Sequence, residues 1–325
     1  MLRALGLMWV AFFTTLLARL SGKPRHTNWS FSFEMVIRYL RLDWEDTADW
    51  EFARLRADMD RRPYPSDFAK KVTHQDSELA ELPVRRFIPP GGAPDDRVVL
   101  FFHGGSYVFG SAKTTHCELI SRLAFESGRA VVGPDFRLLP EHHYPAQLED
   151  ARRVFEALVR AGTAPEHIVV AGDSSGGNLA LALALDRRDR GEPPPAALVL
   201  ISPWVDLSMP GASFVKHDRY DFGTREVLEK QARAFAGSLE LTDPRISPSY
   251  ADLSGLCPCL VVVGEVELPR DDIVSLYDKL KTAGVDAHLH LARSMPHSPP
   301  AMAALHPEGA VSMARIASYV NNHLS

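Results

Sequence analysis

From residue 97 onward, short runs of apolar residues, many of them β-branched, alternate with longer stretches of helical periodicity. Runs that are apolar along their whole length are typical of strands covered by helices on both faces. Strands separated by helices in this way favour a mostly parallel α/β sheet. We predict strands at 98–102, 130–133, 167–171, 197–201, 260–263 and 287–291, with helices at 115–127, 147–161, 178–188 and 271–283 between them.

Two segments interrupt this alternation. Residues 1 to about 90 are predicted to be helical and amphipathic, and residues 203–255 contain a helical stretch at 224–236 but no strand. Because neither segment fits a strand–helix repeat, we expect both to lie outside the sheet. The sequence therefore predicts a helical cap formed by residues 1–60, with a second contribution from the insertion at about 203–255 of the main domain, 61–325.

Composition excludes several classes of protein. The chain of 325 residues is 46% hydrophobic and 24% charged, as in globular proteins, and its 36 basic and 41 acidic residues give a charge of −5. With no long basic run, a nucleic-acid partner is not expected. Cys117, Cys257 and Cys259 are too few for a disulfide framework or a structural zinc site, so we interpret them as packing residues. No metal or cofactor is expected.

The N-terminus contains an uncharged run from Ala4 to Ala18. As a helix it would measure about 22 Å, which is short of the roughly 30 Å hydrocarbon core of a bilayer. Three interpretations are open: a signal peptide, a helix in peripheral contact with a membrane through residues 1–20, and a helix packed over the protein's own substrate entrance. We favour the third, and with it a cytoplasmic location; membrane association and export are the alternatives. Helical spacing separates large apolar side chains from small ones, with Leu5, Trp9, Phe12, Phe13, Leu16 and Leu20 on one face and Ala4, Ala11, Thr14, Thr15 and Ala18 on the other.

A glycine-flanked serine follows the strand predicted at 167–171. In residues 172–177, Ser174 has a glycine two positions before and after it, and a helix follows. Glycines on both sides allow a sharp turn from strand to helix that exposes the serine hydroxyl above the sheet. The same turn places the amide of Ser175 at a helix N-terminus, where developing negative charge is favoured. Ser174 is therefore the candidate nucleophile; Ser175, which lacks the preceding glycine, is the less favoured choice.

A second glycine motif, 103–105, directly follows the strand at 98–102. Glycines at the C-terminal end of a strand let backbone N–H groups approach a ligand closely. We expect the amides of Gly104 and Gly105, together with that of Ser175, to form an oxyanion hole. His103 is interpreted as a residue that fixes this loop.

A serine nucleophile needs a base and an acid, which in enzymes with this turn follow the serine in chain order. His297 lies on a loop after the last predicted strand, at the sheet edge where reacting groups collect. The acid should follow the strand at 260–263. There Glu267 is the best candidate, Glu265 competes with it, and Asp271 and Asp272 are expected to cap the next helix.

These residues resemble the hormone-sensitive-lipase-like branch of the α/β-hydrolases, the bacterial family IV esterases. The resemblance rests on five motifs in order, at 103–105, 136–141, 172–180, 202–204 and 295–297, and covers residue 85 to the C-terminus. It implies an α/β-hydrolase fold capped by the N-terminus, Ser174 as nucleophile, His297 as base, and a homodimer. Two positions depart from the family pattern: Glu267 stands where Asp is usual, and Phe136 where Tyr is usual.

The residues and the resemblance together predict a serine carboxylesterase acting on short- to medium-chain esters through an acyl-enzyme. One alternative is a deacetylase or amidase of a specific acetylated metabolite or sterol. Another, from a different class, is a small-molecule receptor on the same fold; it is disfavoured because Ser174, His297 and a carboxylate are all present. Lipase action at a membrane surface is a third, and would depend on residues 1–20.

Overall fold

An eight-stranded sheet lies at the centre of the computed structural model, which describes residues 2–93 and 96–325. The strand order is β1-β2-β4-β3-β5-β6-β7-β8, with β1–β2 and β2–β4 antiparallel and every later pairing parallel. The strands are β1 (Thr73–Leu79), β2 (Leu82–Ile88), β3 (Val98–Phe102), β4 (Ala130–Pro134), β5 (Ile168–Asp173), β6 (Ala197–Ile201), β7 (Cys259–Gly264) and β8 (Ala287–Ala292).

Helices cover both faces of the sheet, as the continuous apolar strands predicted. On one face α4 (Cys117–Ser127) and α10 (Pro307–His323) pack against strand residues such as Phe101 and Val169. On the other face α5 (Ala146–Arg160), α6 (Ser175–Asp189) and α9 (Arg270–Thr282) pack against residues such as Phe102 and Val170. All residues of β3 to β7 are buried. The predicted mostly parallel α/β sheet and its six strands are confirmed.

The hairpin of β1 and β2 corrects the prediction that residues 1 to about 90 are helical. Most residues of β1 are exposed, because it is the edge strand and is polar along most of its length. The two strands are joined at Ala80 and Glu81, which both have positive φ, a conformation more usual for Gly or Asn. The hairpin therefore lacks both features by which a hairpin is recognised in a sequence, namely apolar runs in its strands and Gly or Asn in its turn.

The first sixty residues are helical, as predicted, and form α1 (Leu2–Leu20), α2 (Phe31–Asp46) and α3 (Phe52–Asp60). Trp29, Phe33 and Ile37 are buried in a small apolar cluster against the loops that follow β7 and β8. The indole Nε1 of Trp29 donates to the carbonyl of Ser294 at 2.6 Å. This segment is thus attached at the C-terminal edge of the parallel strands.

The side chains of α1 divide into a buried and an exposed set. Ala11 and Thr15 are fully buried, whereas Trp9 and Phe13 are 60% and 53% exposed. The helix contacts α2 through its face of small residues, and most of its large apolar side chains point away from the protein. The interpretation of α1 as a helix packed over a substrate entrance left open which face would meet the protein, and the structure places the buried Ala11 and Thr15 on that side.

The insertion between β6 and β7 contains no strand, as predicted. It forms α7 (Ser213–Lys216) and α8 (Arg225–Ala236). Its loop between these helices crosses the same edge of the sheet, where Arg41 of α2 donates hydrogen bonds to the carbonyls of Asp218 and Gly223. The two predicted cap segments are therefore in contact with each other.

Candidate active site

Ser174 occupies a strained turn between β5 and α6. Its φ of 54° and ψ of −121° are unusual for a residue with a side chain. A Cβ on Gly172 would overlap the backbone of Gly176, and one on Gly176 would overlap the carbonyl of Phe102, so glycine is required at both positions. The turn is held by hydrogen bonds from Ser174 N to the carbonyl of Ile201 (2.9 Å) and from Trp204 N to the carbonyl of Ser174 (3.0 Å).

The neighbouring hydroxyl of Ser175 points elsewhere. Ser175 is fully buried, and its Oγ accepts a hydrogen bond from the amide of Tyr107 at 3.3 Å. Tyr107 is itself fixed, because its hydroxyl donates to Asn178 Oδ1 at 2.8 Å and its ring stacks on Phe235. Of the two adjacent serines, Ser174 alone lines the cavity above the sheet.

A histidine–carboxylate pair lies at the same edge of the sheet. His297, on the loop after β8, donates from Nδ1 to Glu267 Oε2 at 2.9 Å. Glu267 follows β7, is fully buried, and accepts the amide of Gly264 on its other oxygen at 3.1 Å. Because Nδ1 is engaged, Nε2 is the imidazole nitrogen left for proton transfer. Glu265 instead accepts the amide of Ser294 at 2.7 Å, so the geometry brings Glu267 to His297 and not Glu265.

The charges around His297 favour its protonated form. Burial alone would lower the pKa of His297, but the hydrogen bond and charge of Glu267, with the charges of Asp221 and Asp173, raise this pKa to about 9. Ser174 and His297 line the same cavity. Within the described residues no direct hydrogen bond joins Ser174 Oγ to the imidazole, and such bonds often tighten only when substrate is bound.

Asp221 is a site residue that the sequence did not reveal. This carboxylate lies on the loop between α7 and α8 and is 1% exposed. Its Oδ1 accepts the amide of His297 at 3.2 Å, and its Oδ2 accepts the amide of Leu268 at 2.8 Å. One side chain from the cap insertion therefore joins the loop that carries His297 to the loop that carries Glu267. No local pattern marks it, because its partners are 47 and 76 residues away in the chain.

The loop after β3 does not present its amides as predicted. Gly104 N donates to Asp173 Oδ1 at 3.0 Å, and His116 Nε2 lies 3.0 Å from the same oxygen. This buried pair, also unrecognised in the sequence, occupies the Gly104 amide, which is therefore not free to bind an oxyanion. The amides of Gly105 and Ser106 have no hydrogen-bond partner among the described residues, and both residues line the cavity beside Ser174.

His103 fixes this loop, as expected from the sequence. It is almost fully buried, and its Nδ1 lies 2.8 Å from the carbonyl of Gly104. Its ring stacks on Phe136, the position where the family pattern has Tyr. Burial lowers the pKa of His103 to about 4, so the imidazole is neutral at physiological pH.

The cavity above these groups has a volume of about 190 Å³ and is mostly apolar. Its lining includes Ser174 and His297 on the side of the sheet, and residues of α2 and of the insertion on the other side. Apolar side chains from α2, the loop after β3, the insertion and the loops after β7 and β8 surround it: Trp44, Phe109, Trp204, Phe214, Phe222, Leu228, Leu268 and Met302. A small uncharged acyl or alkyl group fits this lining better than a charged one.

A parallel sheet with a serine at a strand–helix turn, and with a carboxylate and a histidine after the next strands, defines an α/β-hydrolase. Residues 99–300 match the model of a family with the α/β hydrolase fold. An esterase of Acinetobacter venetianus is 33% identical over 228 residues, 70% of this chain and 75% of that protein. The carboxylesterase NlhH of Mycobacterium tuberculosis is 34% identical over 230 residues, 67% of this chain and 71% of that protein.

Solved structures agree with these relatives. An esterase of the bacterial hormone-sensitive lipase family is 32% identical, matches with a TM-score of 0.77, and the match covers 99% of this chain and 97% of that one. An esterase/lipase from an uncultured bacterium is 30% identical with a TM-score of 0.80, over 85% of this chain and 92% of that one. The chain belongs to the α/β-hydrolase family and, within it, to the hormone-sensitive-lipase-like esterases.

Proposed function

We propose that this carboxylic ester hydrolase acts through a triad of Ser174, His297 and Glu267. The observation that carries the proposal is the cavity shared by Ser174 and His297, with His297 Nδ1 held at 2.9 Å by buried Glu267. A serine hydroxyl is a weak nucleophile unless a base removes its proton, and the carboxylate keeps that base in the required tautomer.

In the first half-reaction, Ser174 Oγ attacks the ester carbonyl carbon while His297 Nε2 takes the serine proton. The resulting tetrahedral oxyanion collapses, the bond from carbon to the alkoxy oxygen breaks, and His297 returns its proton to the departing alcohol. In the second half, water attacks the acyl-enzyme and loses a proton to His297, and the acid is released as Ser174 regains its hydrogen. Glu267 orients the imidazole and stabilises its charged form throughout.

For the oxyanion hole we propose the amides of Gly105, Ser106 and Ser175. This set differs from the sequence prediction in one donor: it contains the amide of Ser106 and not that of Gly104, because the Gly104 amide already donates to Asp173. Support comes from the amides of Gly105 and Ser106, which have no hydrogen-bond partner among the described residues and belong to residues that line the cavity beside Ser174. Each such donor is worth about 3 kcal/mol of transition-state stabilisation.

For the substrate we propose esters of short to medium acyl chains, on the basis of the apolar lining and the cavity volume of about 190 Å³.

We also propose a division of the chain around this cavity, in which residues 1–60 and 203–255 form the cap and the remaining residues form the catalytic domain. Trp44 from the first cap segment and Phe222 from the second line one cavity, and they contact each other with ring centroids 6.4 Å apart.

Deacetylation of an acetylated compound is the second candidate. An acetyl-hydrolase of Streptomyces hygroscopicus is 40% identical over 58% of this chain and 64% of that protein. The same triad would serve, because an acetyl ester differs from longer esters only in the acyl group. Comparison of acetyl with butyryl and hexanoyl esters, and of esters with the matching amides, separates the two candidates.

The deciding experiment is Ser174→Ala assayed on p-nitrophenyl esters. Loss of the nucleophile should lower kcat by about 10⁴-fold or more, with an unchanged circular dichroism spectrum. The matched control is Ser175→Ala, which removes the neighbouring buried hydroxyl and should retain most of the activity. A fluorophosphonate should label the wild type and Ser175→Ala but not Ser174→Ala. A Ser174→Ala variant with undiminished turnover would contradict the assignment of the nucleophile. A wild type that is neither active nor labelled would contradict the proposal as a whole and favour a receptor.

A further inference from the structure

The outer face of α1 carries an unusual density of exposed apolar side chains. Among the described residues twelve large apolar side chains are exposed, and seven of them lie on this one helix, while the other five are scattered over the rest of the chain. Single exposed apolar residues are normal, but a contiguous patch marks an interaction surface. We call this set the outer face of α1: Leu5, Met8, Trp9, Val10, Phe13, Leu17 and Leu20, each 41–76% exposed.

Both ends of α1 are tied to the body of the protein. Arg3 pairs with Asp43 and Asp46 of α2 at 2.7 Å each. At the other end Arg19 pairs with the buried carboxylate of Glu34 at 2.9 Å and also donates to the carbonyl of Trp29. The helix therefore lies along the protein surface. By length and composition Arg3–Leu20 could cross a membrane, but crossing would break both sets of ion pairs.

Charge is distributed unevenly around this helix. Residues 1–33 contain no Asp or Glu but four basic side chains, Arg3, Arg19, Lys23 and Arg25. Arg3 and Arg19 are paired with carboxylates of α2, so the positive charge without a carboxylate partner among the described residues comes from Lys23 and Arg25. Lys23 is exposed just beyond the end of α1. Such a segment is complementary to an anionic surface. The exposed Thr14 fits an apolar medium as well, because its hydroxyl donates within the helix to the carbonyl of Val10 at 2.7 Å.

We propose that α1 docks flat on the surface of an anionic lipid membrane, with its outer face among the acyl chains. An amphipathic helix with aromatic residues on its apolar face and basic residues at its ends is typical of interfacial binding. A second copy of the chain fits less well. A two-fold contact between two outer faces would bring the same basic, acid-free segment of both copies together. The proposal concerns a surface outside the cavity and does not depend on the esterase mechanism.

The test is flotation of the full-length protein with vesicles. Vesicles contain phosphatidylcholine alone or with about a third phosphatidylglycerol. The test variant carries Trp9→Glu with Phe13→Glu. The control carries Val215→Glu with Val311→Glu, which adds the same charge at side chains that are 76% and 46% exposed elsewhere. We expect the wild type and the control to float with anionic vesicles, and the test variant to bind more than about tenfold more weakly.

Three further readings complete the test. Binding should fall with added salt and with neutral vesicles, because the basic residues contribute through charge. Turnover of p-nitrophenyl acetate should be equal in wild type, test and control variants, which shows that each is folded. Ser174→Ala should float like the wild type, so failure of the esterase proposal leaves this one intact.

Two outcomes overturn the proposal. One is a wild type that does not float with anionic vesicles, or a test variant that floats equally well. The other is a wild type that is a dimer by light scattering, does not float, and becomes a monomer in the test variant. In that case a second copy covers the outer face.

Discussion

His297 is held by carboxylates from two different parts of the chain. Glu267 binds its imidazole, and Asp221 binds its backbone amide. These charges have opposite consequences for catalysis. In the proposed mechanism they would stabilise the imidazolium that forms in the transition state. They also favour the protonated form of the resting imidazole, whose pKa is raised to about 9. Activity at neutral pH is therefore expected to be limited by the small fraction of neutral His297.

The first prediction concerns this pH dependence. Only neutral His297 can accept the serine proton, so kcat/KM for a soluble ester should fall about tenfold per pH unit as the pH drops below about 8. Rates are measured with Ser174→Ala as the blank for spontaneous hydrolysis. Glu267→Gln should lower the pKa of His297 toward about 6.5 and reduce kcat by roughly 10³-fold or more. A profile centred near 6.5 in the wild type would refute the assignment of these charges.

A second prediction concerns Asp221, which we regard as a positioning residue. Asp221→Asn keeps the size of the side chain but removes its charge and one of its acceptor oxygens, so the loops of His297 and Leu268 lose part of their attachment. We expect kcat to fall about tenfold. The pKa of His297 that appears in the pH profile of the rate should also fall, because the charge of Asp221 helps to raise it.

The matched control is Asp218→Asn, three residues away. Asp218 is 47% exposed at its side chain and pairs with Arg41 at the surface, so this change should leave kcat and the pH profile unaltered. If Asp221→Asn lowers stability alone and leaves the profile in place, Asp221 has a structural role only.

At the scale of elements, the sequence pattern predicted the strands that helices cover on both faces of the sheet. The strands β3 to β8 were recognisable because each is mostly apolar, and the elbow at Ser174 because glycines are sterically required beside it. The hairpin of β1 and β2 was missed because an edge strand needs no apolar run. The periodicity of α1 separated most of its large side chains from its small ones, although Phe12 packs against Phe31 of α2 and Thr14 is exposed. Periodicity cannot tell which face meets the protein. The small face does so, since Ala11 and Thr15 allow close approach to α2.

Contacts between distant elements could not be predicted in the same way. Asp173 was visible in the serine motif, but its link through His116 to the loop after β3 depends on how β3, β5 and that loop pack. The choice of Gly104 as an oxyanion donor failed for this reason. A glycine after a strand shows that the backbone approaches something closely, and here Gly104 approaches Asp173.

The loop after β3 provides the third prediction. A Cβ at Gly105 would overlap the carbonyl of Phe109, and its φ of 114° is rarely adopted by other residues. Gly105→Ala should therefore displace the proposed oxyanion amides and lower kcat by about a hundredfold. The control is Gly128→Ala, which also has positive φ but open space around it, and should affect stability alone. Equal kcat for both variants would mean that this loop does not bind the oxyanion.

At the scale of the whole molecule, the cavity exists only because three regions meet. The parallel strands supply Ser174 and His297, the insertion supplies Phe222, and α2 supplies Trp44. The ring of Trp44 lies against Phe109 and Phe222, with centroids 6.2 and 6.4 Å away. The indole of Trp44 in α2 therefore lines the same cavity as Ser174 and His297, and we expect its size to set how long an acyl chain can be accommodated.

The last prediction is that Trp44→Ala changes acyl-chain preference rather than chemistry. Removal of the indole enlarges the cavity, so kcat/KM for octanoyl relative to acetyl p-nitrophenyl esters should rise about tenfold, as an apolar pocket discriminates by one to a few kcal/mol per group. The pH profile should stay in place, because Trp44 does not contact the His297–Glu267 pair. Trp50→Ala, an aromatic in the same cap segment but outside this cavity, is the control. If both variants keep the wild-type preference, the acyl group must bind elsewhere, because the loss of an indole from the wall of its binding site would change the chain length that fits.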